Sequence, residues 1–173
     1  MSGTLRVACV LAAVLVAGAQ VFSASRIVMV VAPTDFTDRE YADPRAVFDK
    51  AGAAVVVAST SNATAVGHDG MKLRVDVATR DLKLDQLDAI IVVGGAGALS
   101  TLMDDADLLA RAGVQRNRPA TCYPDARVVT TLKMNGAEYT RESVITSDRV
   151  VTASGPEAAK EFARRVLDAL GKG

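Results

Sequence analysis

Tryptophan is absent from these 173 residues, histidine occurs once, and cysteine occurs twice, at Cys9 and Cys122. So few of these side chains exclude a His-rich or multi-cysteine metal centre and any framework of disulfides. Neither sign of charge is in excess, with 20 Lys plus Arg against 20 Asp plus Glu. That balance gives no reason to expect nucleic acid or an anionic surface as a partner. The residues that remain are half apolar, which suits one α/β-sized domain with a substantial core.

The chain opens on an uncharged apolar stretch, Val7 to Gly18, after a single early positive charge at Arg6. Ala17-Gly18-Ala19 follows in an A-x-A arrangement before Gln20. This is the pattern of a secretory signal peptide. It divides the chain into a leader, residues 1–19, and a folded domain, residues 20–173, and predicts an exported protein, periplasmic or secreted. The apolar run falls short of the roughly 20 residues that cross a bilayer comfortably, so no stable membrane span is expected after cleavage. An uncleaved N-terminal membrane anchor is the alternative, and a misassigned start before a cytosolic protein is a third reading. Cleavage would remove Cys9 and leave Cys122 without a disulfide partner.

Beyond the leader, strand-like and helix-like segments alternate. Arg26 to Ala32 reads as a buried strand, and Asp38 to Lys50 as a helix with Val47 and Phe48 facing inward and Gly52 as its stop. Ala54 to Ala58 reads as a second strand. Strand, helix and strand in that order predict a βαβ unit and a parallel sheet. Leu73 to Val77 alternates like an edge strand, Leu82 to Leu87 forms a brief helical turn, and Leu99 to Ala112 is helical, with Asp104, Asp105 and Asp107 on a solvated face. Ala120 to Tyr123 is strand-like, and Val128 to Met134 is a short helix ending at Asn135-Gly136. Val144-Ile145-Thr146 and Val150-Val151-Thr152 form a hairpin. Ser154 is an N-cap candidate ahead of Pro156, and Ala158 to Leu170 is an amphipathic closing helix.

The stretch Asp88-Ala89-Ile90-Ile91-Val92-Val93-Gly94-Gly95-Ala96-Gly97-Ala98 carries the strongest signal. A β-branched run ending in glycines and flowing into a helical pattern is a buried strand that delivers a tight turn to a helix. Ligands of α/β sheets bind at such carboxyl ends, so Gly94 to Gly97 is where chemistry is expected. The turn is not a dinucleotide fingerprint, because Ser100 stands where its third glycine would fall. Close strand-helix packing is the alternative reason for these glycines. His68, between Gly67 and Asp69-Gly70, has no neighbour at ligand spacing and reads as a solvated loop residue. Neither a metal nor a cofactor is expected.

Several segments, in order, carry a resemblance. They are Ala32-Pro33 with Phe36-Thr37-Asp38-Arg39-Glu40-Tyr41 and Pro44, Lys50-Ala51-Gly52-Ala53 with Val57-Ala58-Ser59, and Asp88 to Gly97. They continue in Ala120-Thr121-Cys122-Tyr123-Pro124-Asp125, Gly136-Ala137-Glu138-Tyr139 and Ser154-Gly155-Pro156. Together they resemble the ThiJ/PfpI family of the class I glutamine amidotransferase-like superfamily. The resemblance implies a flavodoxin-like three-layer sandwich with a mainly parallel sheet, assembled as a homodimer or higher homo-oligomer. It also implies cysteine-dependent peptidase or glyoxalase/deglycase chemistry on a small carbonyl or peptide ligand, often in stress responses.

One part of that pattern is missing. Family members carry their nucleophilic cysteine on a strand-to-helix elbow, in a motif similar to Ala-Ile-Cys-His, between the helix after the glycine turn and the Ala-Thr-Cys-Tyr-Pro segment. Here Ala106-Asp107-Leu108 passes directly to Leu109-Ala110-Arg111-Ala112-Gly113-Val114. An elbow with its connections needs about 20 residues, so a central strand is expected to be lost along with it. Either the sheet closes up and re-pairs, or the elbow is rebuilt from another segment, or the chain is a deletion form that folds poorly, with oligomerisation through the exposed strand edge as a further route. Cys122 matches a different strand and is a doubtful nucleophile, while Glu40 maps onto the acid that bonds the catalytic thiol in relatives. Gly94, Gly95 and Ala96 map onto the turn whose N–H groups face an oxyanion there, and Val93 stands where many relatives have Pro. The expectation is a binding or stress-associated module without cysteine catalysis. A hydrolase with a substitute nucleophile, and a structural remnant without a ligand, are the alternatives.

Overall fold

The computed structural model describes residues 12–15, 24–101, 118–134, 136–148 and 150–171. Strand β1 is Ala12–Leu15, and β2 is Arg26–Val30. After β2 come a short β3, Thr34–Phe36, and helix α1, Asp38–Lys50. Helix α1 carries Asp38 and Glu40 in its first turn and Lys50 in its last, complementing the helix dipole at both ends. It stops at Ala51, and Gly52 then takes φ +72°, a left-handed conformation that glycine adopts without strain.

Strand β4 spans Ala54–Ser59 and pairs in parallel with β2, Met29 opposite Val57. The βαβ unit expected from the residue pattern is therefore present. The alternating Leu73–Val77 segment is divided: β6, Lys72–Leu73, pairs with β5, Ala65–Gly67, while β7, Val77–Ala78, pairs with β4. The split follows from Asp76, whose Oδ2 accepts the Val57 N–H at 2.9 Å and so takes a place in the ladder with its side chain. Two single-turn 3₁₀ helices, at Thr79–Asp81 and Leu84–Gln86, lead to β8, Ala89–Val92. Asp88 pins the entry to β8, accepting the Arg26 N–H at 2.7 Å while its own N–H donates to the Arg26 carbonyl.

Helix α2, Ala96–Thr101, begins directly after the glycines. The expected continuation to Ala112, with its three aspartates, lies outside the described residues, as does the junction at the missing elbow. Strand β9 is only Pro119–Ala120, shorter than the expected Ala120–Tyr123, because Thr121 leaves the ladder. Its N–H donates to Thr152 Oγ1 at 3.0 Å and its hydroxyl to the Glu142 carbonyl at 2.7 Å. Helix α3, Ala126–Met134, and β10, Glu138–Tyr139, precede the hairpin of β11, Val144–Ser147, and β12, Val150–Ala153. Asp148 takes φ +56° in its turn. Helix α4 is Ala159–Ala169, entered through a 3₁₀ turn at Pro156–Ala158. Gly155, not Ser154, holds the N-cap position of that turn, without a side-chain cap bond.

The main sheet has seven strands in the order β11-β12-β1-β8-β2-β4-β7. Its β8-β2-β4-β7 half is parallel, and β1 is antiparallel to both β8 and β12. Strand β1, Ala12–Leu15, thus lies inside the sheet, between β8 and β12. One face of the sheet carries Ile27, Met29 and Val31 in a cluster with Phe48, Phe162 and Val166. The other carries Val28, Val30, Ile90 and Val92 with Ala98 and Leu82, the two-sided burial that gives parallel strands their continuous apolar runs. In α4, Ala159, Phe162, Ala163, Val166 and Leu167 form one buried stripe at helical spacing. Truncating fully buried Phe162 to Ala should destabilise the fold by about 3–5 kcal/mol in urea unfolding. A loss below about 1 kcal/mol would show that α4 is not packed on this core.

Candidate functional site

Glu40 sits in the first turn of α1, and Gly94 follows β8 by two residues. The Gly94 N–H donates to Glu40 Oε2 at 2.9 Å. A Cβ on residue 94 would lie 2.5 Å from that oxygen, so a side chain there would push the Glu40 carboxyl out of this contact. The other carboxyl oxygen, Oε1, faces Gly155 just beyond β12. A Cβ at Gly155 would approach it to 4.0 Å and would meet the Tyr123 ring at 3.1 Å. Two strand ends, those of β8 and β12, therefore converge on one acid, and Tyr123, 54 % exposed, lies on the far side of Gly155.

Glu40 is only 3 % exposed. The sequence alone admitted a buried acid without a partner or a solvated helix residue, and the structure places it buried with the Gly94 amide as partner. Desolvation raises its pKa to about 7, with the Gly94 hydrogen bond pulling the other way. An acid poised there can hold or release a proton at physiological pH.

The glycine turn serves packing as well as presentation. Gly95 has φ +124°, and a Cβ on it would lie 2.6 Å from the Asp35 carbonyl oxygen. A Cβ on Gly97 would overlap the Thr34 carbonyl oxygen. The Thr37 N–H closes the same contact by donating to the Gly94 carbonyl at 2.9 Å. Of the three residues mapped onto an oxyanion turn, Gly94 has its N–H engaged by Glu40, and Ala96 is exposed.

Cys122 is 1 % exposed, and burial pushes its thiol up to about 11. A protonated, enclosed thiol is a poor nucleophile. His68 is solvated as expected, its side chain 74 % exposed, but it is not alone: Nδ1 lies 2.7 Å from Asp35 Oδ1. That hydrogen bond, then the charge of Asp35, raises the His68 pKa above its ordinary value. Asp35 holds φ +59° in the middle of β3, its carbonyl against Gly95, so the pair stands at the rim of the turn. Asp38, buried one turn before the acid's neighbour Tyr41, accepts the Asp69 and Met71 N–H groups at 3.0 and 2.9 Å and fixes the loop that carries His68. Sequence reasoning missed this pairing because residues 35 and 68 meet only when β3 aligns with β5. Tyr123 and Gly155 were legible as matching segments but not as neighbours of Glu40. Among the described residues no cluster of His, Cys, Asp and Glu is arranged to hold a metal.

The profile of the DJ-1/PfpI family matches residues 25–107 and 104–169. The two matched pieces meet where the elbow is missing from the sequence. An uncharacterized protein of Methanocaldococcus jannaschii is 33 % identical over 171 residues, covering 86 % of this chain and 83 % of its own. An uncharacterized Staphylococcus aureus protein is 26 % identical over 167 residues, covering 83 % and 97 %. Among solved structures, a ThiJ/PfpI domain protein from Brachyspira murdochii superposes with TM-score 0.79 at 25 % identity, over 87 % of this chain and 99 % of that one. Drosophila melanogaster DJ-1beta superposes with TM-score 0.70 at 19 % identity, over 86 % and 92 %, a likeness of fold.

Two measurements probe the site. Folded Glu40 keeps its proton to about pH 7, whereas its ordinary value is 4.5. The native state binds the extra proton between those values, so the stability this group contributes is complete below pH 4.5 and declines as pH rises through about 7, by about 3 kcal/mol at most. A Glu40→Gln variant should therefore gain melting temperature on the parent chain as pH rises from about 4.5 to about 8; a constant offset would show that the acid is not desolvated. Alkylation of Cys122 by iodoacetamide, located by peptide mapping, should be about 100-fold slower than for an unshifted thiol. Equal rates in folded and urea-unfolded chains would sink the buried-thiol assignment.

Proposed function

This chain belongs to the DJ-1/PfpI family, and on that premise we propose that it is a binding module for a small carbonyl-containing ligand, without cysteine-dependent catalysis. The observation that carries this reading is Glu40: buried, bonded to the Gly94 amide, with its second oxygen turned toward Gly155 and Tyr123. A carboxyl that burial holds protonated up to about pH 7 can donate a hydrogen bond, and a carbonyl oxygen is the matching acceptor. Gly95 and Ala96 add backbone donors beside it. What the site lacks for family chemistry is a nucleophile. The elbow motif is missing from the sequence, and the Cys122 thiol is enclosed and protonated.

In this reading the retained acid and glycine turn recognise the ligand and leave its bonds intact. A hydrolase with Cys122 as substitute nucleophile would need the thiolate that burial disfavours. The deciding assay combines turnover of methylglyoxal and of a generic peptide with thermal shift in the presence of each. No turnover, together with a ligand-dependent rise in melting temperature that Glu40→Ala abolishes, is the expected result. Turnover that disappears in a folded Cys122→Ser variant would overturn the proposal in favour of the hydrolase. Neither turnover nor a shift would leave a structural remnant.

A further inference from the structure

An interior position of the sheet is held by a segment from outside the residues that match the family. The family match begins at residue 25, while β1 is Ala12–Leu15. On one side Ala12, Ala13, Val14 and Leu15 pair with Val92, Ile91, Ile90 and Ala89; on the other Ala12, Ala13 and Val14 pair with Thr152, Val151 and Val150. Both flanking strands are buried along their whole length. Buried backbone N–H and C=O groups must be paired, and without an occupant each of these strands would face the gap with one unmatched edge.

Direction and reach both favour an occupant from the same chain. A strand fed by a helical crossover runs parallel to its neighbour, whereas β1 is antiparallel to β8. Leu15 lies opposite Ala89, and Ala89 lies opposite Ile27 on its other side. The chain therefore leaves β1 at the end of the sheet where β2 begins, two strand spacings away, about 10 Å. The residues between Leu15 and Arg26 can span several times that distance at about 3.3 Å each, so no crossover is needed. Composition agrees. A strand covered on both faces reads as an uncharged apolar run, the same signature that marks a leader.

We propose that the gap between β8 and β12 is a strand-acceptor site whose permanent occupant is the chain's own N-terminal apolar segment, Ala12–Leu15. The segment replaces, in the opposite direction, the strand lost with the elbow. Cleavage after Ala19 and a resident β1 exclude each other, so the proposal assigns these residues to the folded domain. It rests on strand pairing and is independent of what the site binds.

The test is a disulfide trap in the full-length chain. Ala13→Cys with Val151→Cys, opposite each other in register, is made in a background of Cys9→Ala and Cys122→Ala. Ala13→Cys with Val28→Cys, which sit on strands that are not neighbours, is the control. Mild oxidation should give an intrachain bond in the monomer of the first pair and not of the second. Failure to cross-link a folded monomer, or cross-linking only between chains, would overturn the assignment. Should the substitutions at these positions prevent folding, amide hydrogen exchange on the unsubstituted full chain decides. Amides of residues 13–15 should exchange about 100-fold or more slower than an unstructured segment, in step with those of Ile90–Val92 and Val151–Ala153. Free exchange at 13–15 beside protected neighbours, or folded protein recovered from a secreting host without residues 1–19, would overturn it equally.

Discussion

The hydrogen bond from the Gly94 amide to Glu40 is the contact on which the site's geometry depends. It joins the end of β8 to the first turn of α1, two elements on opposite sides of the β3 loop. Its consequences spread in both directions. A Cβ at residue 94 would displace the carboxyl, and the turn that follows can approach the Thr34–Thr37 backbone only because residues 95 and 97 are glycine. The acid in turn is sealed from water by the elements it connects, and that burial, more than any neighbouring charge, sets its proton affinity. One contact thus produces a rigid glycine turn and an acid poised near neutrality.

A second set of contacts holds the other side of that acid. Arg39 extends from α1 to Glu157 in the turn after Gly155, Nη1 to Oε1 at 2.6 Å, and Lys160 of α4 approaches Asp43 at 3.8 Å. Exposed pairs such as these add little stability on their own. Their effect is positional: they register α1 against the segment carrying Gly155, whose missing side chain leaves room between Glu40 and Tyr123. Stability comes instead from the two apolar layers, where Phe48, Phe162 and Val166 cover one face of β2 and Ala98 and Leu82 the other.

Much of this was legible in residue order alone, where local pattern and final environment agree. The β-branched runs at Arg26, Ala54 and Ala89 became neighbouring parallel strands, because a strand buried on both faces has no polar alternative. The stop at Gly52 and the buried stripe of α4 were likewise written in spacing. Where a side chain took over a backbone role, the pattern misled: Asp76 broke one expected strand, and Thr121 shortened another. Glu40 could be named as a candidate but not as buried, since burial is decided by Gly94 and Gly155, more than fifty residues and more than a hundred residues away in sequence. The Asp35–His68 pair was illegible for the same reason.

The largest ambiguity was Ala12–Leu15, and its cause is physical. Export machinery and a sheet interior both select for a short, uncharged, apolar segment, so composition cannot distinguish a leader from a fully buried strand. Position in the fold is what the proposed assignment to the domain rests on. The strands on either side of β1 end at the two glycines that flank Glu40: β8 runs into Gly94, and β12 into Gly155. Neighbouring strands sit about 4.8 Å apart, so an occupied slot separates β8 from β12 by twice that distance. With the slot empty, either the two strands would close on each other or their facing edges would stay unpaired. In the first case Gly94 and Gly155 could not keep their places around the acid, and in the second the buried edges would lack hydrogen-bond partners. The same segment that repairs the sheet therefore also sets the width of the site.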